Sequence, residues 1–406
     1  MKITNVQAFL MSYAMPEKIE LPFWGGVRSI LKRDAMLIKI STDVGLVGYA
    51  PGPAFERAEE EINSIIKEYL LGQDPLHWEK FNFTGDPDTI KTYHAVEVAL
   101  LDLVGKYEKC SISELMGGRV RSTIKLYGSA GMYMSSQRYA EEAVAMQQMG
   151  FTAYKMRPGA GPEEDLKTVE MMRKATGPNM KLMIDAHTWW RMGDKSYSLE
   201  TISKLAEAMS KFKPCWLEEP LPPEDHNSYQ KLKAKGFLPI ATGEHEQAYE
   251  GFEDLAHLNA TDFLQMDVCC QGGFNMGLKV FDLAAAHKMK FAFHSWGTTL
   301  EVLAAAQLGV CRDESVVEWL EYPCYSSPGK AGMYPFPLSD EILKDPLEIK
   351  GGYLKVPSGH GLGIDVNEKV IEKYPFIPGP WSFFHQTSPQ KTIAVTGDHS
   401  VKWVKS

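Results

Sequence analysis

The sequence predicts an α/β protein built on a (β/α)8 barrel preceded by an α+β unit, and three observations carry that expectation. From Ile124 onward, short apolar runs alternate with amphipathic helical segments, the pattern of consecutive βα units and so of parallel strands. Eight such runs, near 124–129, 153–157, 181–186, 215–219, 238–242, 263–267, 290–294 and 315–322, are the number a barrel requires. Three of them end in an acid, in Leu182-Met-Ile-Asp185, Cys215-Trp-Leu-Glu218 and Ile240-Ala-Thr-Gly-Glu244, each about one βα unit of roughly 30 residues from the next.

Residues 1–123 read first as strands, Ile3 to Ser12, Asp34 to Ser41 and Gly45 to Tyr49, with Asp43-Val-Gly45 as the turn of a hairpin. Helices follow at about 55–70, through Ile62, Ile65, Ile66 and Leu70, and at about 92–109, through Val96, Leu100, Leu103 and Val104. The barrel domain spans 124–325, and its helices are legible as Arg138 to Met149, Glu163 to Ala175, Leu199 to Phe212, Ser228 to Lys235, Ala248 to Leu258, Asn275 to Lys288 and Leu300 to Leu308. The last stretch, 326–406, is rich in Gly and Pro, with one strand pair around Leu347 to Val356. Its tail, from His385 and Gln386 through Thr392 to Thr396 and on to Trp403, offers no site chemistry and is assigned to packing or oligomer contacts.

With 406 residues and 44% hydrophobic content, the chain can fill a barrel core and a second domain. A net charge of −9 lacks the basic surplus of a nucleic-acid binder. No apolar run reaches the roughly 18 residues of a membrane span, and Met1-Lys-Ile-Thr-Asn5 does not open a signal core, so the cytoplasm is the expected location. The cysteines, Cys110, Cys215, Cys269, Cys270, Cys311 and Cys324, form no paired CxxC and read as small buried residues. A homo-oligomer and a small-molecule substrate are expected.

Residues at the strand ends form a reaction constellation, because barrel active sites lie at the C-terminal rim. Asp185, Glu218 and Glu244 side by side would repel one another without a cation, and an oxygen-only trio suits Mg²⁺. Lys155 and Arg157 alternate around Met156 and point together into the barrel mouth. Asp185 and His187 share a side in the same way. Glu219 is expected to point outward as a structural residue, although a register shift would exchange it with Glu218. Asp267 and His294 end adjacent strands, so the carboxylate can orient the imidazole and raise its basicity, making His294 a general base. On the eighth strand Glu318 and Glu321 are both candidates; Glu318 is preferred as the catalytic carboxylate.

Together with Leu115-Met-Gly-Gly-Arg119 leading into the barrel, the Lys-x-basic pair, the Asp, Glu, Glu trio and the Asp and His of strands six and seven, the chain resembles the enolase superfamily, mandelate racemase subgroup. That resemblance implies a modified (β/α)8 barrel, an N-terminal capping domain whose mobile loops close over substrate, and a C-terminal segment that returns to the cap. Leu21 to Arg28 and Tyr49 to Phe55 match the loop positions, which makes Trp24 and Arg28 candidate substrate contacts. The implied chemistry is removal of the proton α to a carboxylate, with Mg²⁺ stabilising the enediolate; this use of a Lys or His base with Mg²⁺ is an established pattern for the superfamily. Two departures narrow it. Arg157 replaces the second lysine of the usual pair and is nearly always protonated, which disfavours a two-base racemase. His187 stands where many relatives have Asn, an Asp-x-His similar to sugar-acid dehydratases. The expected reaction is loss of water from an aldonate or aldarate to give a 2-keto-3-deoxy acid. His294 removes the proton, and either His187 or His294 itself protonates the leaving hydroxyl. His245 is placed to contact a hydroxyl or the barrel wall. A racemase, epimerase or cycloisomerase, or a non-catalytic sugar-acid binder, are the alternatives.

Overall fold

The computed structural model describes residues 1–325 and 333–396. Residues 326–332 and the tail beyond Thr396, Trp403 included, lie outside the described residues.

The N-terminal region is an antiparallel sheet packed on helices. β1 (Ile3–Phe23) runs beside β2 (Gly26–Thr42) and brings Leu21 opposite Arg28; β3 (Val47–Pro51) adds to the far end of β2. The expected turn at 43–45 is present, with Gly45 at φ 79°, where glycine alone is unstrained. Leu21 to Arg28, expected as a loop, is instead the closed end of a hairpin, because the alternation of β1 and β2 continues to Phe23 and Gly26. The helix Pro87–Glu108 covers the sheet; the Asp86 side chain accepts from the N–H groups of Asp88 and Thr89, and Pro87 occupies a first-turn position that needs no donor.

All eight expected barrel strands form: β4 (Thr123–Met132), β5 (Ala153–Arg157), β6 (Lys181–Asp185), β7 (Trp216–Glu218), β8 (Ile240–Thr242), β9 (Phe263–Met266), β10 (Lys290–Phe293) and β11 (Val317–Pro323). They are parallel, and β11 pairs with β4 to close the barrel. Each strand contributes one inward side chain to an apolar floor: Tyr127, Ala153, Met183, Trp216, Ala241, Phe263, Ala292 and Trp319. Large rings and small alanines share this layer, as a barrel interior filled by side chains requires.

The C-terminal stretch divides between the two regions. β12 (Ile349–Lys350) and β13 (Tyr353–Lys355) extend the barrel sheet from β4, where a strand pair was expected. β14 (Ser382–Thr387) and β15 (Gln390–Val395) form a hairpin, and β14 pairs with β2 over Gly26 to Ile30. The tail as far as Val395 is therefore part of the capping sheet. Its placement corrects the expectation that it carries no site residue, since Val395 and Thr396 line the cavity over the barrel mouth, with Trp381 and Phe384 from just before it.

The rim above β5 and β6 is tied by one buried acid. Asp165 accepts hydrogen bonds from the N–H groups of Gly159 (3.0 Å) and Ala160 (2.8 Å), from Trp189 Nε1 (2.9 Å) and from the Tyr197 hydroxyl (2.8 Å). Asp165→Ala would strand three buried donors and the part-buried Ala160 N–H, and urea unfolding is expected to show a loss of about 3 kcal/mol.

Candidate active site

Two residues beyond the floor, the same inward alternation delivers charge instead of hydrocarbon. Lys155 follows Ala153, Asp185 follows Met183, Glu218 follows Trp216, His294 follows Ala292 and Glu321 follows Trp319. Lys155 Nζ lies 2.5 Å from Glu218 Oε1, 3.0 Å from Glu321 Oε1 and 3.5 Å from Asp185 Oδ2. Arg157 Nε is 3.0 Å from Asp185 Oδ2, its Nη2 is 3.4 Å from Glu321 Oε1, and its guanidinium lies over the Trp296 ring at 4.0 Å. Burial opposes the charge on Lys155, but Glu218, Glu321, Tyr127 and Asp185 outweigh it and hold its pKa well above the ordinary value. Neither cation is a base near neutral pH.

Glu321 lies at the centre of this network, and its position corrects the preference for Glu318. The two differ by three positions, an odd number, so only one can face inward from a strand. Trp319 belongs to the floor, which puts Glu321 on the inner face; Glu318, at the opposite end of β11, pairs with Lys290 outside the barrel. The parity of Trp319 and Glu321 was the available signal. Burial raises the Glu321 pKa, but Lys155, His294 and Arg157 bring it down to about 2.

The acids at the mouth divide into two groups. Asp185 and Glu218 turn to the cations, with Asp185 Oδ1 also 2.7 Å from His187 Nδ1 and Glu218 Oε2 accepting from Trp216 Nε1 at 2.8 Å. Glu244 has a buried Oε2 without a hydrogen bond among the described residues, 3.7 Å from His294 Nε2. Each of Glu219, Glu244 and His245 offers a ligand atom within 4.8 Å of the others. Glu219 was expected to face outward, but β7 ends at Glu218 and Glu219 has φ 42°, so strand alternation no longer governs it. It is buried and reaches His245 Nδ1 at 2.7 Å. Gly243 permits the turn before Glu244: at φ 129°, a Cβ there would lie 2.5 Å from the Gln265 carbonyl oxygen.

Without a cation Glu218 and Glu219 hold protons into the neutral range, and Glu244 is shifted in the same direction. Burial pushes Glu218 to about 8 against the pull of Lys155, helped by Asp185, Glu244 and Glu321; burial also pushes Glu219 to about 8 and raises Glu244. A buried carboxylate oxygen without a hydrogen bond, among raised acids of oxygen-donor chemistry, fits a hard divalent ion such as Mg²⁺. Glu244 is common to both possible donor sets, the expected Asp185, Glu218 and Glu244 and the convergent Glu219, Glu244 and His245.

The three histidines separate by environment. His294 Nδ1 is 3.0 Å from Asp267 Oδ2, and Asp267 Oδ1 is fixed by the N–H groups of Cys269 (2.8 Å) and Cys270 (3.0 Å). Burial lowers the His294 pKa, but Glu244, Asp267 and Glu321 outweigh it and lift it to about 10. Burial drives His187 down to about 3 despite Asp185, and His245 to about 4 despite Glu244. A neutral His187 donates Nδ1–H to Asp185, while His245 donates Nδ1–H to Glu219 and accepts from Arg191 Nη2 at 3.0 Å.

The cavity is lined by barrel residues Arg157, Asp185, His187, Glu244, His245, Asp267 and His294, and by Arg28 from the cap. Arg191 and Trp296 also line it and were not anticipated. Trp24 is not among them. Phe23 packs against Phe384, and Trp24 at the hairpin end turns the other way, 40% exposed, against Tyr197 and beneath Lys195. No residue of Tyr49 to Phe55 lines the cavity either.

A closed parallel barrel with a charged mouth roofed by an antiparallel sheet defines the class: a barrel enzyme whose site is shared with a capping domain. Residues 138–370 match the enolase C-terminal domain-like family and residues 10–117 the mandelate racemase / muconate lactonizing enzyme N-terminal domain, and the chain belongs to this enolase superfamily. Among its relatives, D-galactarolactone cycloisomerase of Agrobacterium fabrum is 29% identical over 92% of this chain and 99% of its own. L-talarate/galactarate dehydratase of Salmonella typhimurium is 27% identical over 75% of this chain and 73% of its own. The crystal structure of the 3,6-anhydro-D-galactonate cycloisomerase from Zobellia galactanivorans superposes with a TM-score of 0.77 at 28% identity, covering 93% of this chain and 100% of that one.

Two measurements check the electrostatics. In metal-free protein, NMR titration is expected to show His294 protonated until the pH approaches about 10, with His187 and His245 neutral above about 4. Because the folded pKa of His294 is raised, its contribution to stability is complete below its unfolded value near 6.5 and is lost as the pH rises through about 10. Denaturant titrations of Glu321→Gln are expected to show a loss of about 3 kcal/mol, for a broken buried pair, whereas Glu318→Gln changes stability by less than about 1 kcal/mol.

Proposed function

We propose that the protein is a Mg²⁺-dependent dehydratase of a sugar acid, an aldonate or aldarate, yielding a 2-keto-3-deoxy acid. The observation that carries this reading is that the mouth holds one credible proton acceptor. His294 is buried and oriented by Asp267, while the facing side is occupied by Lys155 and Arg157, both firmly cationic. Racemisation through a planar intermediate needs a proton acceptor and a donor on opposite faces; elimination needs only a base and a means of protonating the leaving oxygen. The raised His294 pKa belongs to the metal-free site, where Glu244 is its foremost acidic neighbour; a cation on Glu244 would offset that pull and leave Nε2 free to take the α-proton. His294 then returns the proton to the departing 3-hydroxyl, a syn elimination. His187, with Nδ1 committed to Asp185, presents Nε2 as an acceptor for a substrate hydroxyl rather than as an acid. Lys155 and Arg157 offset the negative charge that grows on the substrate carboxylate.

Mg²⁺, held through Glu244 with Asp185 and Glu218 or with Glu219 and His245, would supply the positive charge that a doubly anionic intermediate requires. The dehydratase relatives support loss of water. Cycloisomerisation is the second reading, favoured by the relative that matches the chain at nearly full length; it uses the same base with a ring oxygen as leaving group.

The test is incubation with a panel of hexonates, hexarates and their lactones, followed by a semicarbazide assay. A 2-keto-3-deoxy acid is expected; solvent deuterium exchange at C2 without keto acid would sink the dehydratase reading. His294→Asn is expected to lower kcat by about 10²- to 10⁴-fold, as loss of a general base does. Mg²⁺ is expected to raise the melting temperature of the chelator-treated wild type and not that of Glu244→Gln.

A further inference from the structure

The cap contributes a buried cation without an acid. Arg28 is 7% exposed on β2 and lines the same cavity as His294 and Arg157. Its Nε donates to Ser382 Oγ at 3.1 Å, its Nη1 reaches Met132 Sδ at 3.4 Å, and its guanidinium lies 4.8 Å from the centre of the Trp381 ring and 4.7 Å from that of Phe384. No Asp or Glu comes within 4.0 Å of it among the described residues. The charged and titratable groups that bear on it most are Tyr133, Arg33, Tyr325 and Arg191, two phenols and two further cations. Arg157 makes the contrast clear, because an equally buried guanidinium there meets both Asp185 and Glu321.

An uncompensated buried guanidinium is costly to fold around, and burial with the adjacent cations moves Arg28 down only to about 10, so it remains charged at neutral pH. Serine, sulfur and ring contacts hold the group in place without neutralising it. Nη2 keeps its donors unused among the described residues, and a guanidinium edge of this kind matches a carboxylate in bidentate geometry.

We infer that Arg28 is the receptor for a second, distal carboxylate, and that the substrate is a sugar diacid rather than a monoacid. This rests on the proposed reading, which puts the reacting carboxylate at the barrel end beside Lys155 and Arg157. Arg28 belongs to the cap that roofs the mouth, on Met132, the β4 residue in register with Arg157, so a chain bearing an acid at each end reaches from the barrel to the cap with both charges met. The C-terminal hairpin becomes a specificity element through Ser382, Trp381 and Phe384, which hold the guanidinium.

The experiment compares full-length wild type, Arg28→Met and Arg28→Lys on three probes with the same configuration at C2 to C5: a hexarate, the hexonate with CH₂OH at C6, and the hexarate's monolactone. Wild type is expected to favour the hexarate in kcat/KM by on the order of 100-fold, the discrimination of a charge-assisted pair. Arg28→Met, which keeps an apolar stem between the rings, is expected to lower the hexarate-to-hexonate ratio at least tenfold, and Arg28→Lys to fall between. Equal or better turnover of the hexonate or lactone by wild type would overturn the inference. So would an Arg28→Met or Arg28→Lys enzyme in which both substrates decline in proportion, the result of a purely structural role. If no probe is turned over, the dehydratase reading fails by itself; thermal shifts then decide the present point. The hexarate should raise the wild-type melting temperature more than the hexonate, with the difference lost in Arg28→Met, and equal shifts in wild type would refute the inference.

Discussion

Two cations leaving one strand into a closed barrel are the constraint on which the rest of the site depends. Lys155 and Arg157 are buried, and bare charges there would be prohibitive to desolvate. Asp185, Glu218 and Glu321 come from three other strands to meet them. That compensation works only if water is kept out from below, which the rings of Trp216, Trp319, Phe263 and Tyr127 accomplish, and if the strands hold register, since a slip of one residue would exchange the charged layer for hydrocarbon. Fold and chemistry are thus joined by the same alternation.

The network also determines where protons reside. Asp185 and Glu321 are held ionised by Lys155 and Arg157, whereas burial pushes Glu219 and Glu244, and Glu218 despite its contact with Lys155, toward the neutral form. His294 faces the side where acids outnumber cations and gains affinity for a proton. Burial takes that affinity from His187 and His245, and Arg191 beside both adds to the loss. Three chemically identical side chains at one mouth consequently differ by several pKa units, and the difference assigns proton carriage to one of them.

Much of this was legible in the residues. The barrel emerged because each strand is a short apolar run bounded by an amphipathic helix, and acids at strand ends such as Asp185 and Glu218 could be placed by parity alone. Parity also contained the answer for Glu321, but choosing between it and Glu318 required knowing that Trp319 faces inward. Sequence logic stopped where strands stop. Glu219 lies beyond β7 in a left-handed conformation, and Trp24 sits at a hairpin end, so neither obeys alternation. The hairpin of β14 and β15 was missed for a different reason: its partner strand begins at Gly26, and no local pattern announces a pairing across nearly the whole chain.

That pairing has a consequence for how the molecule is made. Arg28 and Ser382, which share a hydrogen bond, are separated by 354 positions, and the Gly26–Ile30 stretch of β2 must keep one edge unpaired until β14 leaves the ribosome. The barrel can close earlier, from β4 to β11, because its strands arrive in spatial order. Domains generally fold as units during synthesis, and unpaired edges invite wrong partners. The order of emergence therefore places completion of the roof after closure of the barrel, and a chain cut short before Ser382 would carry a finished barrel beneath an unfinished wall.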